Sequence, residues 1–143
     1  MNSTINKFGY PATLIREYDN WVVLLRPAQV TLGSLIVAAK SVETDFGDLP
    51  AEHFSELKIV TADISRVLGA LINHAKLNWL MLMMVDPHVH FHLIPRYDGK
   101  RDYDGLSLPD TAWPGPPNLG DAVALSEEQI SKLGRWLGAE FES

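Results

Sequence analysis

Asp86-Pro87-His88-Val89-His90-Phe91-His92-Leu93-Ile94-Pro95-Arg96-Tyr97 holds three of the five histidines in a chain of 143 residues. The histidines alternate with Val89, Phe91 and Leu93, and a period of two is the strand period. One strand face therefore carries His88, His90 and His92, while the other is apolar and faces a core. From the rise per strand residue, neighbouring histidines on that face have Cα atoms ~6–7 Å apart and the outer pair ~13 Å apart. Solvation does not select such a row, since Lys, Thr or Glu would serve as well. Imidazoles in register supply groups that titrate near neutral pH and act as nucleophile, donor or metal ligand.

Upstream, Leu77–Val85 is apolar on both faces and reads as a central strand, with Met81, Met83 and Met84 as adaptable core filler. Asp86-Pro87 then makes a tight turn, His88–Ile94 returns as the second arm of a hairpin, and Pro95 stops it. From Ala51 to about Ala75 the apolar period becomes helical, through Phe54, Leu57, Ile64, Leu68, Leu71 and Ala75, widened by Val60, Val67 and Ile72. His53 and His74 lie near the ends of this helix and read as ordinary surface or last-turn histidines. Trp21–Leu25 and Ser34–Lys40 are antiparallel strands, the second apolar enough for burial on both faces. Thr13–Tyr18 is either an edge strand or a helical turn, and Met1–Pro11 reads as a loose arm.

Downstream, residues 97–125 are rich in Gly and Pro and read as an irregular segment. Ser126-Glu127-Glu128-Gln129 is a capping-box pattern that opens a terminal amphipathic helix over 126–141. The expected fold is α+β in a single domain, 1–143, with its core in 13–96. An antiparallel sheet of about five strands carries one long helix, with a second helix at the C-terminus.

Composition narrows the function. A net charge of −6 and pI near 5.2 argue against a broad surface for polymeric nucleic acid or anionic membrane. With no cysteine there is no disulfide, no thiolate nucleophile and no Cys-based zinc site. The first ten residues lack the pattern of a signal peptide and no run approaches a membrane span, so the cytoplasm is the expected location.

Two chemistries use the histidine row. A His-x-His pair can chelate a divalent metal, which places His88 and His90 as ligands, but the outer histidines are too far apart to join one ion. Alternatively, neutral imidazole attacks a phosphorus centre in line and forms a phosphoramidate that water or another acceptor resolves. The middle histidine, His90, is the geometric choice for nucleophile, and its neighbours donate hydrogen bonds to the phosphate oxygens.

His88-Val89-His90-Phe91-His92-Leu93-Ile94 resembles the His-φ-His-φ-His-φ-φ signature of the histidine triad (HIT) superfamily. The resemblance runs from about Val22 to Arg96. It includes the strand–turn–strand around Gly33-Ser34-Leu35-Ile36-Val37, the helix and the hairpin, in family order. It implies a homodimer that binds a nucleotide or nucleotide conjugate and hydrolyses or transfers nucleoside monophosphate groups, with no cofactor required. On matching positions His90 would be the nucleophile, His92 would contact the phosphate and assist the leaving group, and His88 would brace the nucleophile's ring. Ser34, Arg26 and Arg96 are the candidate substrate contacts. Ser34 stands where many members carry a fourth histidine, and Val85-Asp86-Pro87 is shorter than their connection before the triad. Asp86 is expected in the turn, because facing the pocket it would repel a phosphate. Those departures leave a regulatory nucleotide-binding module with little catalysis as the alternative, beside the metal site.

Overall fold

The computed structural model describes residues 1–143. A five-stranded antiparallel sheet lies in the order β1-β2-β4-β6-β5, where β1 is Leu14–Glu17, β2 Trp21–Leu25, β4 Leu35–Ala39, β5 Lys76–Leu80 and β6 His90–Arg96. Between β2 and β4 the chain forms the short β3, Ala28–Gln29. Thr13–Tyr18 thus resolves as the edge strand β1. The long helix α2 runs over Ala51–Leu71 and the C-terminal α3 over Glu127–Phe141. These elements match the expected α+β architecture.

Alternation explains how the sheet is covered. Trp21, Val23 and Leu25 of β2, with Leu35, Val37 and Ala39 of β4, enter the main core beneath α2 and α3. Val22, Leu24, Ile36 and Ala38 point to the opposite face and form a second, smaller core with Ile5. Both strands are therefore buried end to end, which is why they read as continuous apolar runs. Gly33, at φ +91, makes the turn into β4, and a Cβ there would sit 3.1 Å from Ile72 Cγ1.

Several expectations are corrected. Met1–Pro11 is no loose arm: α1, Ser3–Lys7, lies on the second sheet face with Thr4 and Ile5 buried. Asn2 anchors it, donating to the Ala39 and Ser41 carbonyls while its side-chain oxygen caps the Ile5 N–H. α2 ends four residues before Ala75, where Asn73 adopts φ 53. His53 is buried on α2 rather than at the surface; its carbonyl accepts from Trp21 Nε1. β5 is an edge strand, not a central one, and stops at Leu80, so residues 81–89 form a long connection instead of a two-residue turn. β6 continues through Pro95, paired with Leu77.

Residues 97–125 are more regular than expected. β7, Lys100–Tyr103, and β8, Leu106–Pro109, form a hairpin whose tip, Asp104 at φ 48 and Gly105 at φ 83, has the left-handed backbone of a tight two-residue turn. β9, Val123–Ala124, pairs with β3. The capping box forms as expected, with Ser126 Oγ on the Gln129 N–H and Gln129 Oε1 on the Ser126 N–H. No helix is long and apolar enough to cross a membrane.

Candidate active site

His90 and His92 lie on β6 opposite Ala38 and Ile36, so their side chains emerge on the second face of the sheet. There they form the floor of a cavity of about 370 Å³. Lys7, Phe8 and Arg26 line it together with Leu82, Met83, Met84, Val85 and Asp86. The two imidazoles meet edge to face at 5.2 Å between centroids, and Phe8 lies 5.5 Å from His90 and 5.8 Å from His92.

The hydrogen bonds fix which nitrogen of each ring is free. His90 Nδ1 is 2.7 Å from the His88 carbonyl, which only accepts, so Nδ1 carries the proton. In the neutral ring the lone pair is then on Nε2, the atom left for chemistry. His92 is set the opposite way: Arg26 Nε donates to its Nδ1 at 3.2 Å, so the neutral ring carries its proton on Nε2. A ring nitrogen with a free lone pair and a ring N–H stand side by side.

Burial pushes the His92 imidazole down to about 4, helped by the positive charge of Arg26 and by His90, with Asp86 opposing. His92 is therefore a neutral hydrogen-bond donor at neutral pH. The folded chain binds fewer protons at this site than the unfolded chain between the ordinary value of 6.5 and about 4. Its contribution to stability is complete above that window and lost as pH falls through it. Arg26→Met is expected to move the His92 titration back up toward 6.5, followed by the ring signals in a ¹H–¹⁵N NMR titration. A His92 value unmoved from about 4 would show that Arg26 does not set its charge.

Of the six candidate residues, the structure brings His90, His92 and Arg26 together. His88 sits in a bend before β6, and its ring turns to Thr4 instead of joining the row. Its backbone carbonyl, not its imidazole, holds His90. Ser34 is fully buried away from the cavity; its hydroxyl donates to the Thr31 carbonyl and accepts the Thr31 N–H, closing the turn before β4. Arg96 is also outside the cavity, paired through Nε and a terminal nitrogen with Asp110 and through the other with Asn78. Its buried charge is already neutralised. No three His, Asp or Glu side chains converge as a metal site.

Three wall features escaped the sequence reading. Met83 and Met84 are not core filler: both line the cavity, and Met84 is 86 % exposed. Asp86 does face the cavity, with Lys7 at 2.8 Å neutralising it. Phe8 and Lys7 come from a segment whose ordering is signalled only by the two-faced apolarity of β2 and β4, which demands a cover.

No protein-family model matches the sequence, and no curated protein matches it. Solved structures do. A histidine triad protein of Bradyrhizobium japonicum superposes with a TM-score of 0.75 at 20 % identity, over 99 % of this chain and 96 % of that one. A histidine triad protein of Marinobacter aquaeolei gives 0.72 at 26 % identity, over 90 % and 88 %. The diadenosine triphosphate hydrolase of Plasmodium falciparum, in complex with cyclomarin A, gives 0.65 at 13 % identity, over 90 % and 76 %.

Proposed function

We propose that this chain, whose fold is that of the histidine triad superfamily, binds a nucleotide conjugate and cleaves it at the α-phosphate through a nucleotidyl-histidine intermediate. The observation that carries the reading is the pair of oppositely set imidazoles: His90 with Nδ1–H on a carbonyl, His92 with Nδ1 on Arg26. His90 Nε2 forms a bond to the α-phosphorus as the bond to the leaving group breaks, giving a phosphoramidate. His92 Nε2–H donates to a phosphate oxygen as charge builds there. The leaving group departs with the bonding pair and a proton from solvent; water or another acceptor then attacks phosphorus and returns a proton to solvent, His90 leaves with its lone pair, and the nucleoside monophosphate or its transfer product departs. Arg26 supplies positive charge at the cavity, where Lys7 is paired with Asp86, and Phe8 with Leu82–Val85 supplies apolar wall for a nucleoside. A hydrolase of the same fold that acts on diadenosine triphosphate makes dinucleoside polyphosphates, with nucleoside phosphoramidates, the first substrates to try.

The test is turnover of adenosine and guanosine phosphoramidates and of dinucleoside polyphosphates, read as nucleoside monophosphate release, beside calorimetric titration of the monophosphates. Release with binding supports the reading. Binding without release favours the regulatory module, for which Ser34 speaks: its hydroxyl is spent in a turn where many members present a histidine to the substrate. The absence of both binding and release would leave the histidine pair without a nucleotide role and overturn the reading.

A homodimer belongs to this reading, because β5 ends the sheet and Leu82, Met84 and Val85 are exposed just beyond it. Light scattering at micromolar concentration is expected to give twice the mass of the 15.9 kDa chain, and a monomer would contradict it.

A further inference from the structure

The N-terminal helix reaches the site at three points. Phe8 lies against both imidazoles, Lys7 pairs with Asp86, and Thr4 meets His88. The third contact has a consequence for the chemistry. Thr4 is 1 % exposed, and its hydroxyl oxygen accepts the His88 N–H at 3.3 Å while hydrogen-bonding His88 Nδ1 at 2.9 Å. His88 lies in a bend before β6, outside the paired strand; the peptide that carries its carbonyl is held on its other side by the Val89 N–H on the Glu43 carbonyl, at 3.3 Å. Its N–H is taken by Thr4 and its carbonyl by His90 Nδ1.

We propose that Thr4 is a positioning residue for the nucleophile, acting through the His88 backbone to fix the tautomer and ring orientation of His90. The proposal rests on the reading of His90 as nucleophile. Three hydrogen bonds link Thr4, His88 and His90, and they end on the nitrogen whose proton decides that Nε2 keeps its lone pair. Thr4 is itself held from below, since Asn2 ties the helix start to the carbonyls of Ala39 and Ser41 and Ile5 fills the second core. The anchor is thus on the sheet, not on a mobile terminus. In-line attack needs Nε2 aligned with the breaking bond, and displacement of an attacking atom by about 1 Å can cost on the order of 10²-fold in rate.

The alternative is that Thr4 is only a satisfied buried hydroxyl, which would move the melting temperature and nothing else. Thr4→Val removes the hydroxyl at nearly constant shape, Thr4→Ala removes it without placing a methyl against His88, and Thr4→Ser retains it. In the full chain, the Val and Ala variants are expected to lower kcat about 10- to 100-fold with KM within about twofold, and Thr4→Ser to restore most of it. Side-chain ¹⁵N shifts of His90 give a second readout that needs no substrate: one Nδ1–H tautomer in the wild type and Thr4→Ser, and a mixture in Thr4→Val or Thr4→Ala. A kcat for both hydroxyl-free variants within twofold of wild type, or Thr4→Ser as slow as they are, would overturn the proposal. So would a His90 spectrum unchanged in both. If the wild type turned over no substrate, the catalytic reading of the site would fall, while the tautomer spectra would still decide whether Thr4 orients His90.

Discussion

His90→Ala is expected to lower release of nucleoside monophosphate from a cleavable conjugate by roughly 10³-fold or more, with binding of the monophosphate product little changed. The size follows from the role: with no lone pair at Nε2 there is no covalent intermediate, and His92 cannot replace it because its own Nδ1 is held by Arg26. The substitution should spare the fold, since β6 is paired to β4 through backbone bonds at Ala38 and Ile36 that do not depend on the imidazole. What remains in the cavity still offers a nucleotide the apolar wall of Phe8, the positive charge of Arg26 and the hydrogen bond of His92. Product release by chromatography and product affinity by calorimetry are the readouts. A variant within tenfold of wild-type turnover would contradict the assignment.

The largest loss of stability is expected at a residue outside the cavity. Asp110→Ala should destabilise the fold by about 3–5 kcal/mol, the range for removing one partner of a buried ion pair. The Arg96 and Asp110 side chains are 4 % and 3 % exposed and meet at 2.8 Å. Asp110 also accepts the Tyr97 N–H, so alanine strands a buried guanidinium and a backbone donor together. The pair ties the end of β6 to the end of β8, beside Tyr97, whose hydroxyl joins Leu32 to Leu108. Urea unfolding measures the loss, and Arg96→Met with Asp110→Leu should recover much of it, since an apolar pair leaves no buried charge. A loss under about 1 kcal/mol would mean that the guanidinium finds water or another partner and is free to serve a ligand.

β2, β4 and β6 and the C-terminal helix are legible because their periods and caps are local. The alternation of β6, the apolar runs of β2 and β4 and the Ser126–Gln129 box each speak through neighbours a few residues apart. The cavity was less so, since its walls are assembled from distant segments. Met83, Met84 and Val85 read as buried because apolarity signals burial, yet they are apolar around a cavity instead. His88 continues the alternation of the triad in sequence, but the strand begins only at His90, and Thr4 takes the His88 side chain out of register. Helix α1 has five residues and no amphipathic period long enough to read, and its docking follows only from asking what covers Val22, Leu24, Ile36 and Ala38. The Asp104-Gly105 hairpin carried a local signal that the surrounding glycines and prolines obscured.

Intact-mass spectrometry tests the central claim most directly. Wild type and His90→Ala would be mixed with an adenosine or guanosine phosphoramidate or a dinucleoside polyphosphate. The mixtures would then be stopped within the first turnovers in alkaline denaturant, because acid hydrolyses a phosphoramidate. A mass increment of one nucleoside monophosphate less water on wild type alone is the predicted result. Product formed with no increment on wild type at any time, or the same increment on His90→Ala, would contradict a nucleotidyl-His90 intermediate.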